Sequence, residues 1–169
     1  MDGDGLHAAE MWNPNTGRWT VLASNSVNRT YHSTSILLPD GRILHTGGEG
    51  GEKGISRGAE LFSPPYLFKG PRPAITNAPQ QVNYGASFTV STPDASNVAK
   101  VSLISLGAAT HAFDMGQRLL SLTFQRETGA LTITAPASGN IAPPGYYMLF
   151  IMNTDSVPSV AKIVKVSAP

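Results

Sequence analysis

The sequence predicts an all-β protein, and three observations lead to this fold class. The chain has 17 glycines and 13 prolines among its 169 residues, so turns recur at short intervals. Long stretches with helical periodicity are absent. Short apolar or alternating segments, each bounded by turn-forming residues, recur instead. These segments are AEMW, RWTVLA, YHSTSILL, RILHTGG, AELF, SFTVS, KVSLISL, LLSLTF, ALTITAP, YYMLFIMN and AKIVKVS.

Two turns join the first four of these strands in antiparallel pairs. NPNTG at 13–17 links AEMW to RWTVLA, and PDG links YHSTSILL to RILHTGG. Pro39 presets the backbone of the second turn, and Gly41 can take a positive φ. Both pairs are therefore predicted to be β-hairpins.

The first 68 residues contain a partial internal repeat. AAEMWNPNTGRW and GAELFSPPYLF share Ala-Glu, a hydrophobic residue, an aromatic residue and a proline two positions later. The copies are roughly 50 residues apart, which is the period of a kelch propeller blade. Gly47 and Gly48 form the double glycine expected where a blade strand passes close to its neighbours. We therefore expect the end of one blade and most of another.

A proline-rich segment, FSPPYLFKGPRP at 62–73, marks the predicted domain boundary. Its composition is typical of a stiff connection rather than of a strand. The predicted domains are residues 1–70, the partial kelch propeller, and residues 71–169. Alternation in the second domain predicts these inward-facing core residues: Val90, Val101, Leu103, Leu122, Ile133, Leu149, Ile151, Ile163 and Val164.

Composition excludes several classes of partner. The formal net charge is +1 and no basic cluster occurs, so neither nucleic acid nor an anionic membrane is expected to bind. No run of about 18 apolar residues could span a bilayer, and the acidic start MDGDG lacks the features of a signal peptide. The absence of cysteine excludes disulfides and thiolate ligands.

Three residues are the best candidates for a functional site: Tyr31 and His32 in RTYHS, and His111 in THAFDMGQR. Imidazole nitrogen and phenolate oxygen are ligands that suit copper. Neighbouring residues on a regular strand face opposite ways, so Tyr31 and His32 can share a metal only where a strand begins or bends. The alternative is that each is an ordinary packed or surface residue. His7 and His45 lack ligand-like neighbours and are interpreted as structural or exposed.

Other catalytic arrangements are weaker. Glu49 and Glu52 in GGEGGEKG could form a carboxylate pair, but a glycine-rich charged loop is usually solvated surface. The same segment lacks the GK[ST] ending of a phosphate loop. Ser33 lies beside His32, yet sequence neighbours rarely reach the geometry of a catalytic triad.

Three segments of the chain carry a resemblance to a known family: RTYHSTSILLPDGRILHTGGE, PPYLFKGPRP and THAFDMGQR. Together they resemble the carboxy-terminal part of the copper radical oxidases, the galactose oxidase and glyoxal oxidase family. The resemblance runs from about Ala8 to the end. It implies a kelch propeller followed by an immunoglobulin-like β-sandwich. It also implies that Tyr31 is the axial copper ligand and takes the proton from the substrate hydroxyl. His32 matches the adjacent equatorial ligand, and His111 matches the ligand on a sandwich loop.

The chain departs from this family where the radical cofactor is concerned. The family's fourth ligand is a second tyrosine, joined by a thioether to a cysteine, and no cysteine exists here. The tryptophan that stacks on that tyrosine also has no counterpart, and Trp12 and Trp19 are interpreted as packing residues. In the family these parts come from earlier blades. The chain is therefore expected to be a carboxy-terminal piece that is inactive alone.

Two functions remain as alternatives. In the first, the chain supplies three copper ligands to a secreted oxidase that converts a primary alcohol or aldehyde, including a sugar, with O2 to give H2O2. In the second, it is a non-catalytic β-sandwich that acts as a binding or structural module. The three candidate ligands in their motifs favour the first function for the parent enzyme, and the missing cysteine favours the second for this chain taken alone. Open strand edges and apolar faces predict that the isolated chain pairs with the missing blades or with itself. Gln117 and Arg118 either support the His111 loop or lie in solvent.

Overall fold

The computed structural model of the protein describes residues 6–48, 57–111 and 113–168, and in these residues the all-β prediction is confirmed. The only helical elements in these residues are two short 3-10 turns, Pro65–Phe68 and Ala95–Asn97. None of the described helices has the length and apolar character needed to cross a membrane. The strands are β1 Ala8–Asn13, β2 Arg18–Ser24, β3 Ser33–Leu37, β4 Ile43–Gly47, β5 Ala59–Phe62, β6 Gln81–Asn83, β7 Ser87–Ser91, β8 Val98–Ser105, β9 Ala109–Thr110, β10 Phe113–Asp114, β11 Leu119–Leu122, β12 Phe124–Glu127, β13 Ala130–Thr134, β14 Gly145–Asn153 and β15 Lys162–Ser167.

The chain divides into two compact units. The first comprises Met1–Ile36, Ile43–Phe62 and Ala109–Met115, and the second comprises Leu37–Arg42, Ser63–Ala108 and Gly116–Pro169. The short hairpin β9–β10 thus belongs to the first unit, although the strands before and after it in sequence lie in the second.

Two small antiparallel sheets make up most of the first unit. β1 and β2 form a two-stranded sheet, and β3, β4 and β5 form a three-stranded one in that order. The turn between β1 and β2 has Gly17 at φ 66°, and the Gly17 amide donates to the Asn13 carbonyl at 2.8 Å. At the PDG turn the Gly41 amide donates to the Leu38 carbonyl at 2.9 Å, with Gly41 at φ 83°. Both predicted hairpin turns are confirmed.

The second unit is a β-sandwich. One sheet has the order β11-β8-β14-β15-β6, in which β15 and β6 are parallel, and the other has the order β12-β13-β7. Its core confirms most of the predicted inward positions. Seven of the predicted residues are at most 1% exposed: Val90, Val101, Leu103, Ile133, Leu149, Ile151 and Val164.

Two predicted core residues differ from the expectation. Leu122 is only partly buried, although it packs against the core. Ile163 is 44% exposed, and the inward residues of β15 are Val164 and Val166. Side chains alternate across a strand, so Ile163 must face outward when Val164 faces inward. The prediction was therefore wrong for Ile163.

The strand β14 is apolar from Tyr147 to Ile151 because both of its faces are covered there. Tyr147, Leu149 and Ile151 face the sandwich core. Met148 and Phe150 face the opposite side, where they pack in a second cluster with Ala161, Leu37 and Ile104. This double burial explains the continuous apolar run in the sequence.

Three further expectations are corrected by the structure. The segment LLSLTF is not one strand, because β11 pairs with β8 in one sheet and β12 pairs with β13 in the other. The short strands β6, β9 and β10 were not predicted. Trp12 and Trp19 are cross-strand partners but 51% and 65% exposed, since β1 and β2 form a sheet of only two strands.

Candidate metal centre

Tyr31 and His32 occupy a tight turn directly before β3. The Ser33 amide donates to the Thr30 carbonyl at 3.2 Å and closes this four-residue turn. His32, the third residue, has φ 63°. A type II turn requires a positive φ at that position and normally uses glycine or asparagine there. The turn places two adjacent side chains together, and the rings of Tyr31 and His32 are 3.8 Å apart between centroids.

His111 lies in the loop that connects β9 to β10. Thr110 and Phe113 are paired across this hairpin, so His111 is the first of two loop residues. It has φ 51°, as the first position of the favoured two-residue hairpin turns requires. Its Nδ1 is 2.7 Å from the Thr110 hydroxyl.

The three predicted site residues come together in the first unit. The rings of His32 and His111 are 5.8 Å apart between centroids, and those of Tyr31 and His32 are 3.8 Å apart. All three side chains are exposed, and Tyr31 is 61% exposed. The cluster therefore faces solvent in this chain.

Both histidines have backbone conformations that are uncommon for residues other than glycine. Only one further non-glycine residue with positive φ, Ser156, occurs in the described part of the chain. Such conformations cost of order 1–3 kcal/mol each and cluster at functional sites. The two histidines that the sequence singles out thus stand out in the backbone as well.

A buried polar network lies behind the Tyr31–His32 turn. Arg29, whose side chain is 0% exposed, donates to the Gly47 carbonyl at 2.7 Å and to the Gly58 carbonyl at 3.3 Å. Its Nε is 3.5 Å from Glu60 Oε2. Glu60 Oε1 accepts hydrogen bonds from the Ser26 amide and hydroxyl at 2.7 and 2.8 Å. Arg29 and Glu60 were not predicted from the sequence, because their partners are backbone groups and distant residues.

The double glycine was the one signal of this network in the sequence. A Cβ at Gly47 would lie 2.9 Å from the His32 carbonyl oxygen, and one at Gly48 would lie 3.1 Å from Ser33 Cβ. These distances confirm the predicted close approach. The end of β4 passes directly beside the turn that carries His32.

The remaining candidates lie elsewhere or have structural contacts. His45 Nδ1 is 2.8 Å from the Ser35 hydroxyl, and His7 Nδ1 is 3.1 Å from the Asn25 carbonyl, so both histidines have structural contacts. Both line a cavity of about 280 Å³ in the first unit. Gln117 and Arg118 are exposed. Glu49 and Glu52 lie outside the described residues.

The donor set of the cluster suits copper. In the described ranges no three His, Cys, Asp or Glu side chains form a metal-binding group, so a site with two histidines needs another kind of ligand. Tyr31 offers a phenol oxygen. A metal–imidazole bond of about 2.0 Å, the value for zinc, allows ring centres up to roughly 6 Å apart. The 5.8 Å between His32 and His111 is within this limit.

A family model matches the part of the chain that forms the β-sandwich. The family described as galactose oxidase-like, Early set domain matches residues 72–166, more than half of the chain. The chain belongs to this family. The match covers the β-sandwich and defines it as an Early set domain.

Galactose oxidase-like proteins are also similar to the chain beyond the sandwich. It is 37% identical to galactose oxidase from Gibberella zeae, over 98% of this chain and 25% of that protein. It is 40% identical to aldehyde oxidase GLOX from Vitis pseudoreticulata, over 88% of this chain and 32% of that protein. A fungal alcohol oxidase solved in complex with copper superposes with a TM-score of 0.85, at 35% identity, over 95% of this chain and 36% of that one. The chain thus spans about a quarter to a third of these relatives.

Proposed function

We propose that the chain is the carboxy-terminal portion of a copper radical oxidase and supplies three copper ligands, Tyr31, His32 and His111. The observation that carries the proposal is the approach of His111, from a distant segment, to within 5.8 Å of His32, whose ring is 3.8 Å from that of Tyr31. The copper in the similar fungal alcohol oxidase supports the choice of metal.

The parent enzyme, in this proposal, oxidises a primary alcohol or an aldehyde. Two electrons and two protons leave the substrate and reduce O2 to H2O2. Bound copper would supply one-electron redox chemistry. Tyr31 is assigned as the catalytic residue that accepts the proton of the substrate hydroxyl, since this residue is 61% exposed and its ring lies beside His32. The galactose and aldehyde oxidases among the relatives support this substrate class.

The isolated chain is proposed to be inactive. Two-electron oxidation needs a second one-electron centre, and the tyrosine–cysteine group of the family cannot form in a chain without cysteine. In addition, the three ligands are exposed to water. Water would therefore fill the open coordination positions.

We also propose that β1 to β5 are strands of kelch-type blades and that the rest of a longer parent protein covers them. The chain spans 25–36% of its relatives, and the β1–β2 sheet has exposed apolar side chains. Missing blades, or a second copy of the chain, are the proposed partners. By the same family resemblance, the parent is proposed to act outside the cell.

Calorimetric titration with Cu(II) tests the ligand set in the complete chain. The variants are His32→Asn and His111→Asn, because asparagine tolerates positive φ and so removes the ligand without adding backbone strain. His45→Asn is the matched control, since His45 lies on β4 with structural contacts. We expect one Cu(II) site in the wild type, weakened by both His32→Asn and His111→Asn and unchanged by His45→Asn.

Two results would contradict the proposal. Either ligand variant could bind Cu(II) as tightly as the wild type, or the wild type could show no site that depends on both histidines. In both cases the non-catalytic module becomes the better reading, as the absence of cysteine already favours it for the chain alone.

A further inference from the structure

We infer that Arg29 is a positioning residue for the proposed copper site. Its buried guanidinium holds the end of β4 against the Tyr31–His32 turn and so presets the two ligands. This inference rests on the proposed function for its metal-binding consequence. Its structural part, that Arg29 fixes the backbone of the Tyr31–His32 turn, does not depend on a bound metal.

The burial of Arg29 gives the first step. Its side chain is 0% exposed, and a buried charge is tolerated only when it is paired and hydrogen-bonded. The guanidinium reaches the Gly47 carbonyl at 2.7 Å, the Gly58 carbonyl at 3.3 Å and Glu60 Oε2 at 3.5 Å. Gly47 ends β4, Gly58 directly precedes β5, and Glu60 lies on β5. One side chain therefore contacts two neighbouring strands at three positions.

Gly47 provides the second step. The Arg29 Nη1 atom donates to its carbonyl, while the same residue approaches the His32 carbonyl so closely that a Cβ would be 2.9 Å away. A displacement of the Gly47 peptide is therefore transmitted to the backbone of His32. Gly47 itself has φ 68°, a conformation that glycine adopts at little cost, so the close approach needs glycine at this position.

Glu60 and Ser26 complete the support. Glu60 Oε1 accepts from the Ser26 amide and hydroxyl, which anchors the segment three residues before Arg29 to β5. The segment from Ser26 to Arg29 is thus clamped at both ends. Tyr31 and His32 follow after a single residue, Thr30, so the turn starts from a fixed point.

A fixed starting point matters because the turn is strained. His32 has φ 63°, a conformation that persists only when the surrounding structure enforces it. Without the clamp, His32 would relax to negative φ, and its ring would move away from Tyr31 and His111. Residues that orient metal ligands typically change metal affinity by about 10- to 100-fold when mutated.

The test compares Arg29→Lys with Arg72→Lys in the complete chain. Lysine keeps the charge but lacks the planar fork that reaches several carbonyls. Arg72 is a matched control, because its guanidinium donates to the carbonyls of Asp40, Pro158 and Ser159 in the second unit. The metal-free readouts are hydrogen exchange of the Ser33 amide and the backbone chemical shifts of His32.

We expect Arg29→Lys to lose exchange protection at Ser33 and to shift the His32 resonances, and Arg72→Lys to leave both unchanged. With Cu(II), Arg29→Lys should weaken binding by about 10- to 100-fold and alter the copper electron paramagnetic resonance spectrum. A folded Arg29→Lys protein with wild-type exchange at Ser33 and wild-type Cu(II) affinity overturns the inference.

The two proposals fail in distinguishable ways. If the wild type binds no Cu(II) through His32 and His111, the proposed function is wrong, and exchange at Ser33 still decides the role of Arg29. If Arg29→Lys does not fold, Glu60→Gln takes its place, because it removes the charged partner that, together with the Gly47 and Gly58 carbonyls, fixes the buried guanidinium. Loss of Ser33 protection in folded Glu60→Gln supports the clamp, and wild-type protection overturns it.

Discussion

Thr110 contacts one ring nitrogen of a proposed ligand, His111. Its hydroxyl is 2.7 Å from His111 Nδ1. A ring that donates Nδ1–H to this hydroxyl leaves Nε2 unprotonated, and metal-bound histidines generally use such a second contact to fix tautomer and orientation. In the proposed site, this tautomer offers Nε2 of His111 to copper.

Thr110→Val should weaken Cu(II) binding. Valine keeps the β-branched shape but removes the hydroxyl, so we expect a loss of about tenfold, the lower end for residues that orient ligands. Nitrogen NMR of the metal-free protein should show the His111 tautomers becoming mixed. Thr110→Ser, which retains the hydroxyl, serves as the control. Unchanged tautomers in Thr110→Val would show that the contact has no orienting role.

Glu60 makes the clamped segment sensitive to acid. Hydrogen bonds from the Ser26 amide and hydroxyl, followed by the interaction with Arg29, hold the pKa of Glu60 below its ordinary value of 4.5. A group with a lowered pKa in the folded state stabilises the protein above its unfolded pKa. That contribution is lost as the pH falls through the folded pKa.

We therefore expect the wild type to lose its stability advantage over Glu60→Gln as the pH falls below about 4.5. Trp12 and Trp19 lie in the first unit, so thermal unfolding followed by tryptophan fluorescence reports on that unit. The pKa of Asp40 is also lowered, mainly by its hydrogen bonds with Arg42, and Asp40→Asn serves as the control in the second unit. A wild-type advantage that stays constant from pH 6 to pH 3 would contradict the assignment.

At the level of strands, β14 and β15 show how position within a sheet decides the role of an apolar residue. Leu149 is 0% exposed, and Ile163, on the adjacent strand, is 44% exposed. Both were predicted from the sequence to face the core. Only the inward residue contributes to the packed core.

Leu149→Ala should lower the free energy of unfolding by about 2–5 kcal/mol, because it removes buried methyl groups and leaves a cavity. Ile163→Ala should cost about 1 kcal/mol or less, the range of strand propensities. Chemical denaturation followed by far-UV circular dichroism measures both. Equal losses would mean that the burial of the two positions is wrongly assigned.

The whole molecule has an uncovered sheet in its first unit. β1 and β2 form a sheet of two strands, so each has an edge without a neighbour among the described strands. Met11, Trp12, Trp19 and Val21 are 42–67% exposed on this sheet. Unpaired edges and exposed apolar faces are templates for association with another chain.

We expect the isolated chain to self-associate in sedimentation equilibrium experiments, and Trp19→Lys to reduce the association. Leu119→Lys is the control, since Leu119 is an equally exposed apolar residue, at 64%, in the second unit. A wild-type chain that remains monomeric at high concentration would contradict this prediction.

Local chemistry made several features predictable from the sequence alone. Glycine and proline at PDG and NPNTG predicted both hairpins, since the φ preferences of these residues act within a few positions. Alternation predicted most of the sandwich core, from Val90 to Val164. The ligand types and motif of Tyr31, His32 and His111 led to a site at a strand start, and the turn lies directly before β3.

Only the tertiary structure decided which distant groups meet. In the folded chain, LLSLTF is divided between two sheets, and Ile163 faces outward. Arg29 donates hydrogen bonds to the carbonyls of Gly47 and Gly58. The fold also brings His111 to the turn of Tyr31 and His32. Periodicity and turn preference describe a residue's own backbone and face, whereas these contacts depend on how separate strands pack, which no local pattern specifies.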